Sequence, residues 1–211
     1  GEATATAGLD FAADRVGVRT RPDLEARGRY LDGSALGTVG AFALLEQPTG
    51  VQGLLAEVGG RVTGNRTSAP ADPAVDGSSP LDRTKVGLTG SAGLRYAITP
   101  DLAVIASVLS GFRSPNLEDL QSLGRGARGL GVPPEGLEDE RSVTVDLGLK
   151  MRGEGWVAQG FAYATRLTDL IVRVPLDDER YTRANASEGR LLGAEVAVRA
   201  PRVHLLPVVP L

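Results

Sequence analysis

Ser142-Val143-Thr144-Val145-Asp146-Leu147-Gly148-Leu149-Lys150 alternates without a fault. Val143, Val145, Leu147 and Leu149 fall on one face and Ser142, Thr144, Asp146, Gly148 and Lys150 on the other, which is the period of two that a pleated strand imposes on its side chains. An upstream stretch repeats the pattern. From Lys85 to Tyr96, KVGLTGSAGLRY sets Val86, Leu88, Ala92, Leu94 and Tyr96 at even positions against Lys85, Thr89, Ser91 and Arg95 at odd ones. A helix there would have to absorb Gly87, Gly90 and Gly93 at about 1 kcal/mol each relative to Ala, so the reading is strand.

Working outward, Ile98-Thr99-Pro100-Asp101 is turn chemistry, and Leu102 to Leu109 resumes as an antiparallel partner. The turn Arg152-Gly153-Glu154-Gly155 leads to Trp156 to Thr165, where Val157, Gln159, Phe161 and Tyr163 share a face. Leu170 to Val174 and Leu191 to Arg199 are predicted as two more strands, the last setting Leu192, Ala194, Val196 and Val198 against Gly193, Glu195 and Ala197. Ala3 to Val18, Ser34 to Leu45 and Val51 to Val62 supply weaker candidates. Short connections are expected at Glu46 to Gly50, Thr99 to Asp101 and Arg152 to Gly155, and long ones at Gly64 to Asp82, Ser114 to Glu140 and Pro175 to Ser187. Structureless loops beyond about 12–15 residues argue against an ordinary compact domain. Short turns on one rim and long loops on the other are what an outer-membrane barrel carries. The fold class expected is therefore all-β, an antiparallel transmembrane β-barrel, as an incomplete segment of about eight to ten strands.

Composition narrows the function. Lys and Arg number 23 against 26 Asp and Glu, a net charge of -3 that makes no electrostatic case for nucleic acid. With no Cys and one His, His204, thiol chemistry and Cys-based zinc sites are absent, and that imidazole lies in a tail, PRVHLLPVVPL from Pro201, too rich in proline to continue a ladder. No apolar run approaches the roughly 18 residues of a membrane-spanning helix. No two of the 26 acids are singled out as a glycosidase pair. No catalytic residue, cofactor or metal site is expected.

Three motifs have ordinary explanations. Gly124, Gly126 and Gly129 in GRGARG match a dinucleotide fingerprint on paper, but no strand leads in and Pro133-Pro134 blocks the helix that should follow. The segment reads as a basic loop in which Arg125 and Arg128 are candidate contacts to an anionic ligand or lipopolysaccharide. The acidic runs Glu138-Asp139-Glu140 and Asp177-Asp178-Glu179 read as solvated loop, with Ca²⁺ ligation the alternative. Asn65-Arg66-Thr67 and Asn185-Ala186-Ser187 are chance glycosylation sequons.

The stretch from Leu109 to Leu120, LSGFRSPNLEDL, resembles the GFRxPNLxEL signature in the barrel of TonB-dependent outer-membrane receptors, through Phe112, Arg113, Pro115, Asn116 and Leu117. Further resemblances follow in order. Leu137 to Ser142 with Asp146-Leu147-Gly148 is similar to the family's L-x-P-E-x-S...E-x-G, with Asp139 in place of Pro and Asp146 in place of Glu. Phe161-Ala162-Tyr163 through Leu170-Ile171 is similar to F-x-Y...D-x-I. Tyr181, Asn185 and Gly193-Ala194-Glu195 are similar to Y-x-N...G-x-E. Arg29 to Ser34 resembles a loop of some members. The resemblance covers about residues 25–199.

What this resemblance implies is a 22-stranded barrel around an N-terminal plug, of which residues 1–200 would be a part, 201–211 an irregular tail, and the plug missing. Implied partners are outer-membrane lipid, the receptor's plug, TonB and an unidentified small ligand, with localisation in the outer membrane of a Gram-negative-type envelope. Heme-transporting members carry a His between the Arg-Pro box and an NPNL box, whereas here Asn116 to Glu140 holds none and Val132-Pro133-Pro134-Glu135 stands in the second box's place. The opening at Gly1 and the proline-rich end suggest a processed product or fragment, and a curved sheet with two unpaired edges. Two other classes compete: a self-contained small outer-membrane pore or adhesin, and a soluble all-β binding domain or hydrolase whose apolar faces would pack against a second sheet.

Overall fold

The computed structural model describes residues 2–19, 30–71, 79–121, 125–126 and 129–200. Its long strands run in chain order as β1 (Thr4–Arg15), β2 (Ala35–Pro48), β3 (Leu54–Ala69), β4 (Leu81–Thr99) and β5 (Leu102–Arg113). A helical turn α1 (Leu117–Leu120) and two short strands, β6 (Arg125–Gly126) and β7 (Gly129–Gly131), come next, before β8 (Glu140–Gly153), β9 (Trp156–Pro175) and β10 (Arg180–Arg199). All belong to one sheet in the order β1-β2-β3-β4-β5-β8-β9-β10-β7-β6. Every long strand pairs antiparallel with its predecessor, and the one parallel pairing joins β7 to the start of β10. The sheet does not close: β1 has no partner on its outer edge, and below Tyr181 neither does that of β10, among the described residues.

The alternation read from sequence is the architecture. In β8, Val143, Val145, Leu147 and Leu149 all point to one face, about half exposed, while Ser142, Thr144 and Asp146 are partly covered on the other. Leu88 at 77% exposure and Leu192 and Val196 at 81% and 80% show the same inversion, in which apolar side chains are bare and polar ones sheltered. A soluble sheet is built the other way round. We call the apolar face outer and the polar face inner. No second sheet covers the outer face among the described residues.

Buried residues gather instead where the long connections meet. Leu31, Ser34, Thr67, Ala69, Leu117, Asp119, Leu120, Gln121, Leu137 and Asp139 are all buried at that rim. Turns 49–53, 100–101 and 154–155 occupy the other.

Three boundaries need correction. The long connection expected at Pro175 to Ser187 is a tight turn at 176–179, and the two strands expected at Trp156 to Thr165 and Leu170 to Val174 are one 20-residue strand. The connection expected at Gly64 to Asp82 shrinks because β3 continues to Ala69 and β4 begins at Leu81. The reason is length. A barrel strand needs only about 9–11 alternating residues to span a bilayer, and β9 has 20, so its upper half need carry no apolar alternation of that kind. Ser114 to Glu140 is also not structureless, since it holds α1, β6 and β7. Arg29, Gly124, Arg128 and the tail 201–211 with His204 lie outside the described residues.

On the inner face aromatic rings lie across glycines of the adjacent strand. A Cβ on Gly148 would collide with the Phe161 ring, and one on Gly193 with the Tyr163 ring. Gly148→Val is therefore expected to destabilise by about 1–3 kcal/mol, the usual cost of overpacking, and Phe161→Ala in the same chain to recover part of it. Equal urea midpoints for Gly148→Val with and without Phe161 would show that the ring is not the obstacle.

Candidate functional site

Arg113 ends β5, and Pro115, having no N–H, ends the ladder. Asn116 then caps α1: its side chain accepts from the Asp119 N–H at 3.0 Å while the Asp119 carboxylate accepts from the Asn116 N–H at 3.2 Å. This reciprocal cap turns the chain inward and buries Leu117 and Leu120. It also aims Asp119 at two guanidinium groups.

Asp119 is 3% exposed, and a carboxylate so buried needs full compensation. Arg113 reaches one oxygen at 2.6 Å and Arg183 of β10 the other at 2.9 Å. Arg113 also donates to Glu140 of β8 at 2.5 Å, and Glu140 accepts the Ile171 N–H at 2.8 Å. Arg183 donates to Glu118 at 2.7 Å, and Arg173, 3.8 Å from Glu118, lies 5.3 Å from the Tyr181 ring centroid. Four long strands and α1 are thus tied by one ionic network.

A second tie lies beside it. Asn185 accepts the Glu138 N–H at 2.8 Å and donates to the carbonyls of Glu138 and Asp169 at 3.1 and 2.6 Å. Asp169 has φ 57°, left-handed backbone that Asp tolerates better than most residues, and the opposing strand shifts register around Ser187. Arg83 donates to the Leu137 carbonyl, and Lys85 pairs with Glu138 at 2.8 Å, holding that carboxyl below its ordinary range. Asp177, in the β9–β10 turn, is likewise held low by its hydrogen bond from Arg180.

The acidic run Glu138-Asp139-Glu140 is therefore neither solvated loop nor a cation site. Its first and third members take different cations, Asp139 is buried, and no three His, Cys, Asp or Glu among the described residues are placed to hold a metal. The sequon residue Asn185 has both ends of its amide engaged.

The described parts of the connection 114–139, residues 114–121, 125–126 and 129–139, form a strap that makes contacts at both sides of the inner face. Gln121 donates to Ser34, at the head of β2, at 2.9 Å. At the far side, Leu130 and Val132 N–H groups donate to the carbonyls of Glu179 and Tyr181, both at 2.8 Å, beside β10. Beneath it opens a hollow of about 510 Å³ whose lining includes Arg61, Thr63, Asn65, Thr89, Phe112 and Arg113. The Phe112 ring occupies the space a Cβ on Gly87 would need. Arg61 is held by both Asp10 oxygens at 2.7 Å, and Asn65 accepts from Thr38 and donates to Ser114. Arg61 and Asn65 on the wall of the hollow are thus already paired with protein groups.

Of the residues picked out from sequence, the structure brings Arg113 into the network and Asn116 into the cap that aims Asp119, places Pro115 at the end of the ladder and Leu117 in the buried rim, and puts Phe112 into the hollow. Gly193 and Glu195 sit lower on the wall in β10, Gly193 beneath Tyr163. The backbone of Arg125 lies in β6, while its side chain and all of Arg128 are outside the described residues. Sequence reasoning missed Arg183 and the pivotal role of Asp119, a pair 64 positions apart with no local signal. It quoted Asn185 without seeing its use.

Comparison with known proteins agrees with this geometry. The family described as TonB dependent receptor-like, beta-barrel matches residues 2–206. No curated protein matches. Among solved structures, the Serratia marcescens hemophore receptor HasR, in complex with its hemophore HasA and heme, is similar at TM-score 0.76 and 16% identity, covering 93% of this chain and 36% of that one. The FrpB iron transporter from Neisseria meningitidis (F3-3 variant) gives 0.68 and 13%, with 95% and 31% covered. The siderophore receptor PirA from Pseudomonas aeruginosa gives 0.56 and 18%, with 81% and 41% covered. The chain spans about a third of the length of these proteins.

Proposed function

We propose, from the premise that this chain belongs to the TonB-dependent receptor-like β-barrel family, that it is a section of the wall of an outer-membrane receptor for energy-coupled uptake of a scarce ligand. The family is one of receptors and transporters rather than enzymes. Residues 1–200 belong to the barrel region of that receptor, the long strands forming its wall with the outer face against outer-membrane lipid and the inner face toward the receptor's plug. TonB acts on that plug in the complete receptor. The ligand is of the siderophore, metal-chelate or cobalamin type, captured on the long-loop side. The observation that carries this reading is the inverted sheet: bare apolar outer face, polar inner face, and a rim of long connections tied down by charge. A soluble binding domain would need a second sheet over Leu88, Leu192 and Val196.

The sidedness is directly testable because the chain has no Cys of its own. Asp178→Cys, in the β9–β10 turn, should react with a membrane-impermeant maleimide on intact cells, and Glu154→Cys, in the β8–β9 turn, only after the outer membrane is opened. Equal labelling of both on intact cells, or of neither, contradicts the reading. Because Asn116 to Glu140 holds no His, heme added to the chain should give no imidazole-type absorbance from these loops. A histidine-like spectrum surviving His204→Ala would overturn that expectation.

A further inference from the structure

Like charges directly opposite one another across a sheet destabilise it, yet Arg166 of β9 stands opposite Arg190 of β10 on the outer face. The face follows from register: Arg166 pairs with outward-pointing Val143, and Arg190 continues the outward series Leu192, Val196 and Val198. Arg141 lies two positions above Val143 on the same face of β8. All three are exposed. Glu188 pairs with Arg166 at 3.0 Å, while Arg141 and Arg190 make no hydrogen bond or ion pair among the described residues. By contrast Arg66 and Asp82, also exposed at this rim, neutralise one another at 2.8 Å.

Height places the cluster. Trp156 points outward at the short-turn end of β9, and Arg166 follows ten positions later. At about 3.3 Å per residue and about 40° of tilt, that rise is about 25 Å, the height of the apolar band of an outer-membrane barrel. Between the two levels every outward residue of β8, β9 and β10 is apolar: Val143, Val145, Leu147, Leu149 and Met151; Ala158, Gly160, Ala162 and Ala164; Leu192, Ala194, Val196 and Val198. Three guanidinium groups crown an apolar strip.

We propose that Arg141, Arg166 and Arg190 form a docking site for the phosphate of an anionic lipid in the leaflet on the long-loop side, its acyl chains lying on the strip below. This rests on the reading that the outer face meets lipid. Guanidinium groups bind phosphate through charge-assisted, bidentate hydrogen bonds; Arg141 and Arg190, which form no ion pair among the described residues, are the principal donors, and a phosphate bridges them to Arg166, whose other partner is Glu188. Free phosphate satisfies the charge but leaves the strip unused, which is why the lipid is the occupant.

The test uses the full chain in phosphatidylcholine vesicles, with electron spin resonance reporting how much spin-labelled phosphatidylglycerol or spin-labelled phosphatidylcholine is immobilised at the protein. Phosphatidylglycerol should be preferred. Arg190→Gln should lower the preference about fivefold, the effect of one basic residue near a membrane surface, Arg190→Lys should retain most of it, and the triple Gln variant should abolish it. Inorganic phosphate should compete no better than chloride at equal ionic strength. Equal immobilisation of both lipids by the native chain, a preference surviving the triple Gln variant, or specific competition by inorganic phosphate each overturns the proposal. Circular dichroism identifies a triple variant that has not folded, and the single Arg190→Gln and Arg190→Lys pair on the sheet's edge strand then decides. Failure to immobilise either lipid overturns the assignment of the outer face itself, and this site with it.

Discussion

Replacing Arg183 by Met lowers the stability of the long-loop rim by about 3–5 kcal/mol, because it leaves the Asp119 carboxylate buried with half its compensation gone. The Arg183 side chain is only 14% exposed and that of Asp119 only 4%, so water cannot take the guanidinium's place. The urea midpoint of the full chain in detergent micelles reads the loss, and cleavage by trypsin within 114–139 locates it. Asp119→Asn in the Arg183→Met background costs less than it does alone, since one of the two cations that compensate the charge is already gone and only Arg113 is left. Strict additivity of the two changes would mean that they do not share one network.

Arg at Leu147 costs about 2–4 kcal/mol of folding into phosphatidylcholine vesicles, the depth-dependent cost of a cation on the lipid face of a barrel strand. Leu147 is 60% exposed on the outer face, and its strand neighbours Val145 and Leu149 are bare beside it. Arg at Thr144, on the inner face beside Thr165 with the hydroxyl oxygens 2.8 Å apart, costs much less. Equal losses at the two positions would remove the assignment of faces.

These two experiments probe halves of the molecule that differed in legibility. At the level of the apolar band the wall was readable because an apolar outer face and a polar inner face require residue-by-residue alternation, and β4 and β8 display it in full. Above that level the constraint vanishes. Ser187 and Gly189 in β10 carry no periodicity, so an extended hairpin read as a long loop. The site was half legible. Pro115 and Asn116 announce a strand stop and a cap by local chemistry, whereas Arg183 is one arginine among many until the sheet brings it to Asp119. Glu138-Asp139-Glu140 misled for the same reason: three consecutive acids suggest solvent, and only tertiary structure shows that Lys85 and Arg113 claim the outer two from opposite sides.

The strap also sets a sequence of events in time. Each long strand pairs with the long strand next to it in the chain, so the wall can grow pair by pair, with 114–139 the longest connection to be closed. The strap's contacts are of another order, with Gln121 meeting Ser34 across 87 positions and Arg183 meeting Asp119 across 64. Closing such loops costs entropy that only a nearly complete sheet can repay, so the ties form last and are absent at the rate-limiting crest. Interactions made after that crest leave the folding rate almost untouched and act on the unfolding rate. The ionic network is thus a brake on departure: it does little to hasten the wall into place and much to lengthen its residence there.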